Sequence, residues 1–400
     1  MAGELSSPEL GYSTMKALMT LSLLVVLSGC ANSLRGTNDL GLIVERAKGS
    51  VALVETSHRS RLARIEGLGD LSHAHITYSR DGRYGYIFGR DGGLSKVDLI
   101  KQVVVRRIIQ SGNAIGGAIS QDGKLIVVQN YEPGGIKVFD AKTLELVSEV
   151  PSYYAPDKRA KVVGLADLPN QQFAYSLFEA GEIWLTDLSD PLRPTTRRFA
   201  AGSQPYDAMV TPDGRYYIAG LFGEDALAML DLWKPENGVR KILPGYGKGE
   251  TALPVYKMPH LRGWSQAGQD LFLPAIGRHE VLVASTLDWQ EKTRIPVQGQ
   301  PVFVMAQPDG RQVWVNFAFP DNDKVQVIDV ATLEVIRTLE AGKAVLHMEF
   351  TPRGEAVWIS ARDDNRVSVY DTRSFKRLDS LEIQQPSGVF FTHRSGRIGF

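Results

Sequence analysis

The stretch LSHAHITYSRDGRYGYIFGRDGGLSKVDL, Leu71–Leu99, gathers His73, His75 and Arg90 around a tight S-R-D-G-R corner. A histidine can ligate a metal or move a proton, and an arginine fork pairs with carboxylates. Similar corners recur at Gly82, Gly123, Gly214, Gly268, Gly310, Gly354 and Gly396. Seven residues before them stand His75, Gly116, Asp207, Leu261, Phe303, His347 and Val389, with His260 one position off in its repeat. Eight residues after the first six stand Arg90, Tyr131, Phe222, Ile276, Ala318 and Arg362, with Arg278 close by. Imidazoles, guanidinium groups and flat rings brought to one place suit a flat, polycarboxylated ligand, such as a macrocycle with propionate or acetate arms. Each residue also has a plainer role open to it. An inner-strand histidine can bond across to its neighbour, Asp207 can satisfy backbone amides, and Arg90 and Arg362 can form surface ion pairs.

The elements that would position these residues are short alternating runs separated by turns, the pattern of an all-β chain. Each corner sits between two strand-like runs, as in SRDGRYGYIFG, SQDGKLIVVQN, TPDGRYYIAGL, SQAGQDLFLPA, QPDGRQVWVNF, TPRGEAVWISA and THRSGRIGF. A weaker copy is LPNQQFAYSLF, from Leu168. A third strand follows and often ends in aspartate, at Asp98, Asp140, Asp231, Asp329 and Asp371, a repetition that predicts a structural role. The copies are about 41–54 residues apart, near the ~40–45 of a propeller blade. Eight blades fill the chain, and seven is the alternative. The last copy has too few residues after it, and the segment from about Leu40 has strands but no preceding corner, so the two ends complete one blade together. That closure leaves no free sheet edge. The first strand of each blade then lines a central channel, and equal offsets from the corner place residues at equivalent points around one mouth. The fold expected is an all-β, eight-bladed β-propeller over residues 39–400.

Before it, ALMTLSLLVVLSGC follows Met15-Lys16, an apolar run too short to span a membrane and ending at Cys30, the sole cysteine. L-S-G-C reads as a lipobox, which makes residues 1–30 a lipoprotein leader with its true start at Met15, and 31–38 a short tether. Cys30 would carry the lipid, placing the protein in the periplasm on a membrane face, and Asn32 favours the outer membrane. Hydrophobic residues make up 43% of the chain, charged residues 22%, and the net charge is zero. No basic tract points to nucleic acid. No zinc-spaced pair, Walker A loop, dinucleotide fingerprint, nucleophile elbow or c-type haem motif is present. His58, His279 and His393 read as loop or surface residues.

With these residues in view, HAHITYSRDGRYGYIFGRDGGLSKVDL resembles the first blade of the d1-haem domain of cytochrome cd1 nitrite reductase. The resemblance covers essentially all of the chain after the leader. VVQNYEPGGIKVFDAKTLELV and the lipobox are similar to haem d1 biosynthesis proteins built on a lone d1-type propeller. It implies that His75 ligates the haem iron and that Arg90 is the arginine of the following corner. M-P-H-L-R-G-W, Met258–Trp264, loosely resembles the segment of a distal histidine, His260. The second distal histidine is absent, and the alignment puts Gln307 in its place, which argues against nitrite reduction. The implied function is late haem d1 assembly, converting dihydro-haem d1 to haem d1 by dehydrogenating a propionate to an acrylate. Arg90, Arg278 and Arg362 would hold carboxylates, Tyr131 and Asp207 would line the site, and His260 or His347 would be the general base. His73 would stand nearer the rim, supporting the ligating histidine or guarding the entry. Electrons would leave to an outside acceptor, a periplasmic electron carrier. The alternative is a non-catalytic carrier that hands haem d1 to nitrite reductase.

Overall fold

The computed structural model describes Met1, residues 36–247 and residues 263–397. The leader, Cys30 and His260 lie outside the described residues. Residues Thr37–Phe400 form one compact unit. It is an eight-bladed β-propeller of eight four-stranded antiparallel sheets.

Blade 1 is built from both ends of the unit. From the channel outward its strands are Pro386–Phe391, Leu40–Glu45, Ser50–Glu55 and Ser60–Ile65. Gly41 pairs with Phe391 and Leu42 with Phe390. A Cβ on Gly41 would stand 2.4 Å from the Phe391 ring, so only glycine admits the closing strand. Blades 2 to 8 start with the inner strands His75–Tyr78, Asn113–Ile119, Val162–Leu168, Pro205–Val210, Ser265–Ala267, Pro301–Ala306 and Val345–Phe350. A small hairpin, Tyr153–Ala155 with Lys158–Arg159, is inserted between blades 3 and 4.

The recurrent corner has a local physical cause. Gly82 takes a φ of +67°, and the Ser79 carbonyl accepts its N–H at 2.8 Å. The Ser79 hydroxyl accepts from the Tyr84 N–H, and Asp81 Oδ1 accepts from the Arg83 N–H. The same bonds form at Ser120–Asp122 and Thr211–Asp213. S/T-x-D-G is thus a self-bonded turn with glycine where the backbone is left-handed. Blade 4 makes this turn without glycine, through Asn170 and Gln171 at φ of 59° and 57°.

The third-strand aspartates are structural. Asp98 Oδ1 accepts the Ile100 and Lys101 N–H groups while Oδ2 takes Arg83. Asp140, Asp329 and Asp371 cap the following turns in the same way. At Asp231 the Arg215 guanidinium holds the carboxyl below the usual carboxylate range.

Burial falls from the second and third strands outward. Ser50–Glu55 and Gly93–Asp98 are buried throughout, whereas the outermost strand Val103–Ile109 exposes Val103, Val105 and Ile109. Between blades, large rings lock the wedges together. Phe391 meets Trp358 edge-on at 5.4 Å, and both are fully buried. Tyr78 of blade 2 donates to the Phe390 carbonyl at 2.6 Å and accepts the Leu42 N–H at 3.1 Å, tying the closing strand pair to its neighbour.

The chain then continues as a 3-10 turn, Thr392–Gly396, at the far end of the channel. Thr392 Oγ1 donates to Thr37 O or Leu40 O, at 2.5 and 2.8 Å. Arg394 forms a buried two-pronged ion pair with Glu349 of blade 8. Arg80 of blade 2 donates to the Ser395, Ser120 and Ile119 carbonyls and to Asp167. The C-terminal segment thus anchors itself to blades 2 and 8, on both sides of the blade that it completes.

Candidate functional site

Residues at the starts of the inner strands converge as their spacing requires. His75, Gly116, Asp207, Phe303 and His347, from blades 2, 3, 5, 7 and 8, all line one cavity of ≈ 290 Å³ at the mouth of the channel. His73 lines its exposed rim. Val389 instead turns into the core, and the cavity wall from the closing strand is Ser387, Gly388 and Phe390.

Phe390 stands between the two imidazoles. Its ring centroid is 5.5 Å from His75, edge to face, and 5.5 Å from His347, nearly stacked. Phe88 stacks on the other side of His75 at 6.0 Å, and Phe303 meets His347 edge-on at 5.1 Å. A Cβ on Gly117 would stand 2.3 Å from the Phe88 ring, so glycine there lets Phe88 reach the histidine. Both imidazoles are therefore held by packing.

The His347 ring has a definite polarity. Its Nδ1 accepts the Val389 N–H at 3.2 Å. A neutral ring bonded in this way carries its proton on Nε2. His347 is accordingly arranged as a hydrogen-bond donor at Nε2, which runs against its expected role as a general base.

Arg46 of blade 1 feels the guanidinium charges of Arg362 and Arg90 on the adjacent blades 8 and 2. Arg46 lines the cavity half-buried, in the loop after the strand Leu40–Glu45. Burial lowers its pKa, as does the charge of Arg362 and, less strongly, that of Arg90, while Asp70 opposes them. Like charges repel, so such a cluster calls for an anion. Arg362 is already engaged by Asp363 at 2.6 Å. Among the described residues Arg46 and Arg90 make no salt bridge.

Arg46 was missed by counting from the corners because its blade takes its inner strand from the far end of the chain. It directly follows its second strand, as Arg362 and Phe222 follow theirs. Counting from the second strand, rather than from the preceding glycine, would have found it.

Arg90 also borders an aromatic group on blades 3 to 5. Tyr131 and Tyr206 hydroxyls lie 2.5 Å apart. Burial pushes Tyr206 up to about 12, helped by the charge of Asp207, and burial raises Tyr131 as well; the Arg90 charge opposes both. Phe178 packs on Tyr206 at 5.9 Å and on Phe222 at 6.1 Å. Tyr206 and Phe178 are further additions to the expected set.

Several expectations are corrected. Arg278 sits exposed in the turn after Asp270–Ala275, two residues past the offset position Ile276, and does not line the cavity. Arg90, Tyr131 and Arg362 are at the offset but are not among its lining residues either, because an offset fixes height along a blade and not the direction of a side chain. Gln307 cannot stand in for a distal histidine. It lies four residues beyond Phe303, just past the end of that inner strand and about 13 Å away at extended rise, and lines a different cavity at the far end of the channel. The mouth residue of blade 7 is Phe303.

His393 is not a surface residue: its side chain is only 10% exposed. Burial and the charge of Arg397 pull its pKa down to about 4 from 6.5. Glu349 lies 3.7 Å away, but its charge is taken by Arg394. Between pH 4 and 6.5 the unfolded chain therefore binds a proton at this residue that the folded protein refuses. Stability should fall on acidification through that window at about 1.4 kcal/mol per pH unit from this group. His393→Gln should flatten that slope relative to the parent, measured by urea unfolding from pH 7 to 4.5. His58 and His279 are exposed, as expected.

The model of the Cytochrome D1 heme domain family matches residues 35–395. The chain is 58% identical to Protein NirF of Pseudomonas aeruginosa, over 94% of this chain and 97% of that one. It is 57% identical to Protein NirF of Stutzerimonas stutzeri, over 96% and 100%. Among solved structures, dihydro-heme d1 dehydrogenase NirN in complex with DHE superposes with a TM-score of 0.79 at 24% identity, covering 93% of this chain and 79% of that one. The chain therefore belongs to the Cytochrome D1 heme domain family and, within it, to the NirF proteins.

Proposed function

We propose that the protein acts late in haem d1 biosynthesis, binding a d1-type tetrapyrrole across the channel mouth and dehydrogenating one propionate to an acrylate. The observation that carries the binding is Arg46 lining one cavity with His75 and His347, close enough to Arg90 and Arg362 to feel both charges. An arginine beside two imidazoles, with two further arginines near it, fits a flat ligand with carboxylate arms and an iron at its centre. Among the described residues no group of three His, Cys, Asp or Glu could hold a bare metal ion. A single axial imidazole suits an iron that brings its own equatorial nitrogens. The cavity opens at Ser72 and His73, so the macrocycle lies over the mouth.

Dehydrogenation removes two protons and two electrons from the –CH₂–CH₂– of a propionate and leaves –CH=CH–. The electrons pass to an outside one- or two-electron acceptor, such as a periplasmic electron carrier. The described residues supply charge stabilisation. Arg46 and Arg90 hold carboxylates, and the Nε2–H of His347 faces negative charge that builds as the α proton leaves. His260 remains the proposed base. A solved dehydrogenase of the same fold, in complex with DHE, supports the reaction class.

A carrier that delivers haem d1 to nitrite reductase is the second reading. The donor polarity of His347 favours it, since that histidine is not set to take a proton. Anaerobic incubation with dihydro-haem d1 and an electron acceptor, followed by mass spectrometry, separates the two. Loss of two hydrogens is expected for the enzyme. Binding without mass change leaves the carrier, and no change in absorption removes both. We also propose periplasmic placement through a lipid on Cys30, supported by L-S-G-C and the absence of any other cysteine.

Arg46→Ala should weaken tetrapyrrole binding by about 1.5–3 kcal/mol, roughly 10–100-fold, through loss of charge-assisted bonds. It should leave the unfolding midpoint unchanged or raised, because it relieves like-charge repulsion. Spectroscopic titration and thermal unfolding together check this pairing.

A further inference from the structure

The inner strands run from the cavity mouth to the far end of the channel, the second strands return, and the third strands run to the far end again. The turns that follow the third strands therefore all lie on the far face. Three adjacent blades carry a large exposed apolar side chain there: Leu192 of blade 4 at 74% exposure, Trp233 of blade 5 at 64% and Leu287 of blade 6 at 73%. Ile100 of blade 2, at 51%, occupies the same kind of turn. Single exposed apolar side chains are ordinary, but these share one type of turn and hence one height on one face.

The turns are built to present them. Each of the four backbone N–H groups donates to a side-chain oxygen two residues back: Ile100 to Asp98 at 3.0 Å, Leu192 to Asp190 at 3.2 Å, Trp233 to Asp231 at 3.0 Å and Leu287 to Ser285 at 3.2 Å. An N–H already bonded within its turn loses little on leaving water. The tether arrives on the same face. Thr37, which opens the propeller, meets the Thr392 hydroxyl through its carbonyl at the far end of the channel. Seven peptide steps separate it from Cys30, at most about 25 Å of extended chain. A lipid on Cys30 would thus keep the far face within that distance of a bilayer.

We propose that the far face lies on a phospholipid bilayer, with the side chains of Ile100, Leu192, Trp233 and Leu287 seated among the headgroups and upper acyl chains. This rests on the reading of Cys30 as the lipidated residue. Tryptophan and leucine suit that zone, and their burial adds to the hold of the acyl anchor. The tether on blade 1 and the tips on blades 2, 4, 5 and 6 stand around the far end of the channel, so together they keep the face parallel to the membrane. The mouth with His75 and His347 then points away from the lipid, open to soluble partners.

The test uses the full chain, expressed with its leader, in vesicles of phosphatidylethanolamine and phosphatidylglycerol. The acyl chains carry bromine, a contact quencher of indole, either near the headgroup or near the chain end. Trp233 reports selectively, because the other five tryptophans are 5% exposed or less. Strong quenching by the shallow bromines is expected, weaker quenching by the deep ones, and none in Trp233→Phe. Leu192→Gln/Leu287→Gln should lose most of it while binding haem d1 as the parent does. Mass spectrometry of the N-terminal peptide separates the two readings. A Cys30 without lipid removes both, whereas a lipidated protein that floats with the vesicles and is not quenched overturns the face contact alone. Equal quenching in Trp233→Phe, or Trp233 already covered in dimers of this chain before vesicles are added, would overturn it too.

Discussion

His75→Ala should bind haem d1 at least about a hundredfold more weakly than the parent and lose the absorption band of the axially ligated iron. Substitutions that only disturb the support of a metal ligand already cost 10–100-fold in affinity, and removal of the proposed ligand itself should cost at least the upper end. Added imidazole should enter the vacated space between Phe88 and Phe390 and restore much of the spectrum, since both rings remain to hold it. A structural histidine would not give that rescue. An unchanged spectrum in His75→Ala would remove the ligand assignment while leaving the arginine cluster in place.

The largest loss of stability is expected at the other end of the channel. Arg394→Leu should destabilise the protein by about 3–5 kcal/mol, because it leaves the Glu349 carboxylate buried without its cation. Both side chains are only 5% exposed, so solvent cannot compensate. The substitution also removes the guanidinium 5.4 Å over the Phe390 ring. Replacing Glu349 as well, in Glu349→Leu/Arg394→Leu, should recover most of the loss, since the cost lies in the orphaned charge. Urea unfolding of both variants checks the pair, and an Arg394→Leu loss under 1 kcal/mol would show the ion pair to be dispensable.

Much of this architecture was legible because it repeats. The S/T-x-D-G corner satisfies its own hydrogen bonds, so it keeps the same residues wherever it occurs, and inner-strand positions can be counted from it. That counting brought His75, Asp207 and His347 to one cavity. It failed where the regularity is broken by the closure of the ring. Arg46 belongs to a blade whose corner lies at the opposite end of the chain, and Phe390 sits one residue from the offset position. His393 looked superficial because nothing in a short polar C-terminal segment says that it will turn into a channel. Gln307 was misplaced because a loose sequence match does not fix height along the channel, and four residues past Phe303 carry it to the opposite end of the propeller. Tyr206 and Phe178 carry no signal of their own, and their pairing with Tyr131 and Phe222 exists only once blades 3, 4 and 5 stand side by side.

The closing strand has a consequence for when the site can come into being. Thr392, which hydrogen-bonds to Leu40, is 352 residues from it along the chain. During synthesis the first three strands of blade 1 emerge early and must wait, unpaired on their channel side, for the last strand to arrive. That strand carries Phe390, the ring against which both histidines rest. A chain cut short by a dozen or so residues would thus lack the seat of its ligand as well as its latch. The packing of the channel mouth is in this sense a late event, completed only once the strand Pro386–Phe391 has been made and has docked.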